Sequence, residues 1–178
     1  RKPRAPEGRH IASAPREGEP PAPDDKRIKS PLGVAVGAGR VFVGDVMGYC
    51  VHILRRSSLE TLHVITKSDL PSETRSFNPH DVAVYGKRLY VADADESSVW
   101  VFTLKGQFVK RIGSYGTGPL QFIHPRGLLP LGSPPEYLVV VERGRLQLLT
   151  PDGNSSLQLL DPPGVHKTPF GSDNYNMM

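Results

Sequence analysis

The side chains with chemical potential gather around three prolines. Pro79 is followed by His80 and Asp81, is preceded by Arg75 and Phe77, and has Asp93 and Asp95 downstream. Around Pro125 the pattern recurs as His124 and Arg126, with Glu142 and Arg143 further on; around Pro31 it is Lys29, Leu32 and Asp45. Guanidinium groups and an aromatic ring beside carboxylates and imidazoles make a plausible recognition surface. They do not make a reaction centre. Zinc catalysis needs three protein ligands and an open position, and the remaining histidines, His10, His52, His63 and His166, are scattered along the chain. With one cysteine, Cys50, neither an internal disulfide nor a zinc-finger spacing is available. No P-loop, nucleophile elbow, zinc-helix motif or dinucleotide fingerprint occurs, and Gly113–Gly118 lacks the lysine and following helix of a phosphate cradle. The sequence therefore assigns no catalytic residue, no metal ligands and no cofactor. Its candidate binding residues are Arg75, Phe77, His80, Asp81, Asp95, His124, Arg126 and Arg143.

These residues must be positioned by something, and the chain repeats itself. Ser30-Pro-Leu-Gly-Val-Ala-Val, Asn78-Pro-His-Asp-Val-Ala-Val and His124-Pro-Arg-Gly-Leu-Leu open three units, with 48 residues from Pro31 to Pro79 and 46 from Pro79 to Pro125. Within the first two units, Pro31 to Asp45 and Pro79 to Asp93 are both 14 residues; Pro125 to Glu142 is 17, the excess falling in the turn at Pro130–Glu136. Each unit holds short β-branched runs: Val41–Asp45, Cys50–Leu54 and Leu62–Ile65; Leu89–Asp93, Val99–Phe102 and Gln107–Ile112; Tyr137–Glu142, Leu146–Leu149 and Leu157–Leu160. Four antiparallel strands per 46–48 residues is the arithmetic of a propeller blade. The opening strand of each unit is apolar at nearly every position, as suits an inner strand covered on both faces. The fold class is all-β: about three four-stranded blades spanning 30–77, 78–123 and 124–170. On this layout the loop entering each inner strand and the turn between the second and third strands share one face. Asp45 and Asp93 are expected to end their strands by side-chain bonds to turn backbone, Arg126 and Arg143 to pair with Glu142 or Glu136, and Trp100 and Phe102 to pack between blades.

Residues 1–29 carry six prolines and almost no large apolar side chains, so they read as a disordered basic linker; 171–178 read as a flexible end. Of the net charge of +4, residues 1–30 hold +3, which leaves the repeats close to neutral. Charge alone therefore gives no strong argument for nucleic-acid binding. No apolar run approaches the roughly 18 residues of a membrane span, no secretory signal is visible, and a buried, inert Cys50 suggests a reducing, cytoplasmic setting.

Asn78 to Phe102, with Pro-His-Asp-Val-Ala-Val, Leu-Tyr-Val-Ala-Asp and Val-Trp-Val-Phe, resembles the NHL repeat, and Gly113–Phe122 is similar to that family's inter-blade segment. The resemblance implies a six-bladed propeller that binds protein or peptide, often as the substrate-recognition part of a RING-type ubiquitin ligase. No RING cysteines are present here. It also implies two alternatives: an RNA-binding propeller, or part of a zinc-dependent peptidyl-amidating lyase. In the lyases a histidine after the blade proline, repeated in three blades, ligates zinc; only His80 matches, and Leu32 and Arg126 hold the other two places. The expected partners are a protein or peptide ligand, with RNA as the alternative and no membrane. Three blades leave two apolar faces open, to be covered by blades of a parent chain or of another copy.

Overall fold

A computed structural model describes residues 27–159 apart from Ser133, Pro134, Pro151 and Ser155. The expected linker, except Arg27–Lys29, and the expected C-terminal end lie outside the described residues. Three four-stranded antiparallel meanders follow one another. Blade 1 is β1 (Pro31–Gly37), β2 (Arg40–Asp45), β3 (Cys50–Arg55) and β4 (Thr61–Ile65); blade 2 is β5 (Pro79–Tyr85), β6 (Arg88–Asp93), β7 (Ser98–Thr103) and β8 (Phe108–Ile112). A short parallel pair, β9 (Ser114–Tyr115) with β10 (Gln121–Phe122), bridges to blade 3. Blade 3 is β11 (Gly127–Gly132), β12 (Pro135–Glu142), β13 (Arg145–Leu149) and β14 (Ser156–Leu159).

Turn chemistry fixes the first hairpins. Ala38 and Gly39 both take positive φ between β1 and β2, the two-residue arrangement whose twist suits a hairpin. Gly86, also at positive φ, starts the two-residue link from Tyr85 to Arg88. Register is anchored alike in blades 1 and 2: Pro31 faces Asp45 and Pro79 faces Asp93, and each inner strand then carries a bulge. The equal Pro-to-Asp spacing in the sequence is this shared register. Outside the strands, the described residues contain one 3-10 turn, Lys67–Asp69, held by a Thr66–Asp69 capping box.

The core is two layers, one in each gap between blades. Because side chains alternate along a strand, blade 2 supplies both. Val82, Leu89, Val91, Trp100 and Phe102 pack against Phe42, Val51, Ile53 and Ile65 of blade 1. Ala83, Tyr90, Ala92, Val99, Val101 and Ile112 pack against Leu128, Leu138, Val140 and Leu149 of blade 3. Trp100 and Phe102 thus lie between blades, each in edge contact with Phe108; burying each such ring contributes about 2–3 kcal/mol. The inner strands approach closely: a Cβ on Gly33 of β1 would lie 2.4 Å from Asp81 Oδ1 and 2.5 Å from Asp81 Cα of β5.

Among the described residues, only the middle inner strand is covered on both sides. In β1, Leu32, Val34 and Val36 are 62%, 65% and 55% exposed, and in β11, Leu129 and Leu131 are 57% and 45% exposed. The outer faces of blades 1 and 3 are therefore open and apolar among the described residues.

Candidate functional site

Each blade ends its second strand on a buried acid, and each acid gathers the loop that enters the inner strand. In blade 1, Asp45 accepts the backbone N–H groups of Lys29, Ser30 and Gly48 at 2.7, 2.8 and 2.9 Å. In blade 2, Asp93 accepts those of Asn78, Asp95 and Glu96 at 3.3, 3.0 and 3.1 Å and the Trp100 indole N–H at 2.8 Å. In blade 3, Glu142 accepts the Ile123 N–H, Gln147 Nε2 at 2.7 Å and Arg145 Nε at 2.9 Å. These carboxylates are brackets that hold strand ends and loops together, as the sequence suggests for the two aspartates. Burial raises the Asp93 pKa beyond what its four donors restore, whereas at Asp45 burial is outweighed by its backbone donors and the pKa falls. Glu142 pairs with Arg145, which also donates to the Gly116, Thr117 and Gln121 carbonyls. Arg145 faces Glu142 across the β12–β13 hairpin, which adds to Glu142 a guanidinium partner that the sequence did not single out.

The brackets bring the entry loops and the second turns to one rim. Ser76 and Asn78 Nδ2 donate to Asp95 at 2.8 and 3.0 Å, and Glu96 accepts the Arg75 and Ser76 N–H groups at 2.8 and 3.1 Å. A shallow depression of about 310 Å³ lies here, lined by Glu73, Arg75, Asp95, Glu96, Arg111 and Tyr115. Arg111 pairs with Glu96 at 3.4 Å and lies over the Trp100 ring, 5.1 Å from its centroid. Tyr115 is 72% exposed.

The predicted residues divide. Arg75 and Asp95 are exposed and line the depression. His80 is half-buried, and burial lowers its pKa; the Arg126 cation lowers it further, Asp95 opposes this, and His124 lowers it again. His80, Asp95, His124 and Arg126 are thus within electrostatic reach across the blade 2–blade 3 boundary. His124, exposed and at positive φ, has Nδ1 2.8 Å from the Ala94 carbonyl oxygen, a hydrogen bond between the two blades. Arg126 and Arg143 are exposed, with backbone N–H groups bonded to Val141 and Ile123 carbonyls at 2.8 and 3.3 Å. Two residues depart from the expected rim. Phe77 is 2% exposed and packs on Phe102 in the core, because the inter-blade gap reaches under its loop. Asp81 turns toward the blades, accepting the N–H of Val82 and, across the gap, that of Leu128, each at 2.8 Å.

Sequence reasoning passed over Glu96, Arg111 and Tyr115, which sit on a turn, an outer strand and the bridge, away from the prolines. It also passed over a trio in blade 1: Asp45, Cys50 and His52 are all buried, and their ligand-type atoms lie within 4.8 Å of one another. The signal was Asp-x4-Cys-x-His across a hairpin whose register sets Asp45 opposite Cys50.

No curated protein sequence matches the chain. Residues 68–146, a little under half of it, match the model of the DUF5128 family, described as a 6-bladed beta-propeller. Among solved structures, it is similar to a catalytically inactive virginiamycin B lyase from Staphylococcus aureus with quinupristin, at 15% identity and TM-score 0.57, over 80% of this chain and 43% of that one. Kuenenia stuttgartiensis hydrazine synthase aligns at 16% identity and TM-score 0.54, over 76% and 43%. The computationally designed Ika8 protein aligns at 12% and 0.51, over 72% and 36%. The chain therefore spans less than half the length of each of these structures. At such identities the likeness is one of fold. Three consecutive four-stranded meanders packed face to face, the second and part of the third lying within the match to a 6-bladed family model, make this chain a run of β-propeller blades.

Proposed function

We propose that the chain is a non-catalytic interaction module, an NHL-type propeller platform that binds a protein or peptide segment across the loop rim of blades 2 and 3. The observation that carries this reading is the depression lined by Arg75, Asp95, Glu96, Arg111 and the exposed Tyr115. It offers both signs of charge and an aromatic anchor on a rigid scaffold, the setting in which recognition loops work. The NHL assignment rests on the repeat from Asn78 to Phe102. In a parent protein such a platform would serve as the recognition part of a ubiquitin ligase in the cytoplasm, and further blades, from that parent or a second copy, would cover Val34 and Leu129.

The lyase alternative does not fit these residues. Its histidine position is Leu32 in blade 1 and Arg126 in blade 3, and the Arg126 cation acts on His80 where a second ligand would be needed. RNA is disfavoured by Glu73, Asp95 and Glu96 in the depression, which would repel phosphates.

The test is to select peptides from a random display library on the intact chain and measure their affinity for Arg75→Ala and Tyr115→Ala. A loss of at least about 10-fold in either, with unchanged thermal stability, is expected for a hot spot. Undiminished affinity in both would refute the site. Failure to enrich any peptide, with tight single-stranded RNA binding that falls steeply with salt, would refute the peptide reading in favour of RNA.

A further inference from the structure

We propose that Asp45, Cys50 and His52 form a binding site for a thiophilic divalent cation of the Zn2+ class. The three blades carry their own control. In register, Cys50, Ser98 and Arg145 face the bracket acids, and His52, Trp100 and Gln147 stand two residues further along the third strand. In blades 2 and 3 that residue donates directly to the acid, at 2.8 Å from Trp100 and 2.7 Å from Gln147. In blade 1 the contact with the acid opens out, His52 Nε2 lying 3.5 Å from Asp45 Oδ2, and His52 Nε2 is instead hydrogen-bonded to Cys50 Sγ at 3.3 Å. Where the other blades have a hydrogen-bond donor in close contact with the acid, blade 1 has three metal-ligating residue types whose ligand atoms lie within 4.8 Å of one another.

The two spacings from His52 suit an ion. Tetrahedral Zn2+ with bonds of about 2.0–2.3 Å separates its nitrogen, oxygen and sulfur ligands by roughly 3.3–3.6 Å. The three side chains are shielded, with Asp45 0%, His52 2% and Cys50 7% exposed. His52 Nδ1 has no hydrogen-bond partner among the described residues, so nothing outside the trio fixes the ring's tautomer. Asp45 keeps its Lys29, Ser30 and Gly48 donors, which orient the carboxylate as outer-shell contacts orient a ligand. Burial first, and then the Asp45 carboxylate, push the Cys50 thiol up to about 11, with the Lys29 charge opposing them, so an ion must displace a firmly held proton. Binding would exchange the Cys50 thiol proton, released to solvent, for a metal–sulfur bond, with a water completing four ligands. The ion would staple the β2–β3 hairpin to the entry segment on one of the two blades with an uncovered face. It is a structural centre, separate from the rim of blades 2 and 3.

The experiment is titration of the metal-free chain with Co2+, followed by Zn2+. A thiolate-to-cobalt charge-transfer band saturating at one equivalent and bleached by Zn2+ is expected, together with at least about 10-fold weaker binding in His52→Gln and no charge-transfer band in Cys50→Ser. Absence of the band in the wild-type chain, or its persistence in Cys50→Ser, would overturn the site. Should Cys50→Ser not fold, alkylation of the single cysteine in the wild-type chain decides. Slowing by Zn2+ supports the site, and an unchanged rate overturns it.

Discussion

Removing the Asp93 side chain tests whether the bracket acids hold the blades together. Asp93→Ala strands four donors: the N–H groups of Asn78, Asp95 and Glu96 and the Trp100 indole. A stranded buried donor costs about 1–3 kcal/mol. The three loop groups are partly buried and can recover water, so about 1 kcal/mol each applies; the 1% exposed Trp100 nitrogen has no such route and takes about 2–3 kcal/mol. Against this, burial has already raised the Asp93 pKa, so deleting the carboxylate relieves some desolvation. The net loss expected is about 3–4 kcal/mol. Asp93→Asn keeps an acceptor for the loop but risks placing an amide N–H against the indole, and about 1–2 kcal/mol is expected. With a urea m-value of roughly 2 kcal/mol/M, Asp93→Ala should lower the midpoint by about 1.5–2 M. Far-UV circular dichroism measures this, while the emission of the chain's one tryptophan reports its own site. The exposed Asp95→Ala should stay within about 0.5 kcal/mol. A midpoint shift under about 0.5 M for Asp93→Ala, with unchanged tryptophan emission, would refute the bracket's role.

Two further perturbations address the gaps between blades. Gly33→Ala drives a Cβ into the Asp81 backbone and should cost about 2–3 kcal/mol, whereas Gly39→Ala, with nothing near and only a positive φ to strain, should cost about 1 kcal/mol; equal melting temperatures would contradict the close approach of β1 and β5. His80 is held below the ordinary 6.5, first by burial and then by Arg126, so the native chain binds fewer protons than the unfolded one just below that value. Its contribution to stability is therefore complete above pH 6.5 and is lost as pH falls through the folded value. Arg126→Gln should move the His80 imidazole titration upward by NMR, and an unmoved or lowered titration would count against the contact.

The strands were legible because the chain repeats and because β-branched runs end at turn residues. Val41–Asp45 and Leu89–Asp93 each gained one residue at the start, Arg40 and Arg88, and the matching Pro-to-Asp distances became a matching register. What escaped depends on contacts between units. Phe77 and Asp81 sit in a loop and at a strand start, yet a neighbouring blade decides that one is core and the other a cross-blade acceptor. The β9–β10 pair has two residues per strand and runs parallel, too short for any periodicity to reveal. Arg145 meets Glu142 because hairpin register sets partners, and charge type alone does not specify register. The Asp45–Cys50–His52 trio is invisible for the same reason until β2 is laid beside β3.

Because among the described residues blade 2 alone is packed on both sides, its stability is shared with its neighbours, and the flanking blades have one partner each there. A stack of this kind behaves as a linear chain of coupled units, in which loosening starts at the ends and moves inward. Amide exchange should then grade by blade rather than by strand, slowest in β5–β7 and faster toward β1 and β11. Closing such a stack into a ring would remove its ends altogether, turning a graded unfolding into a single concerted one.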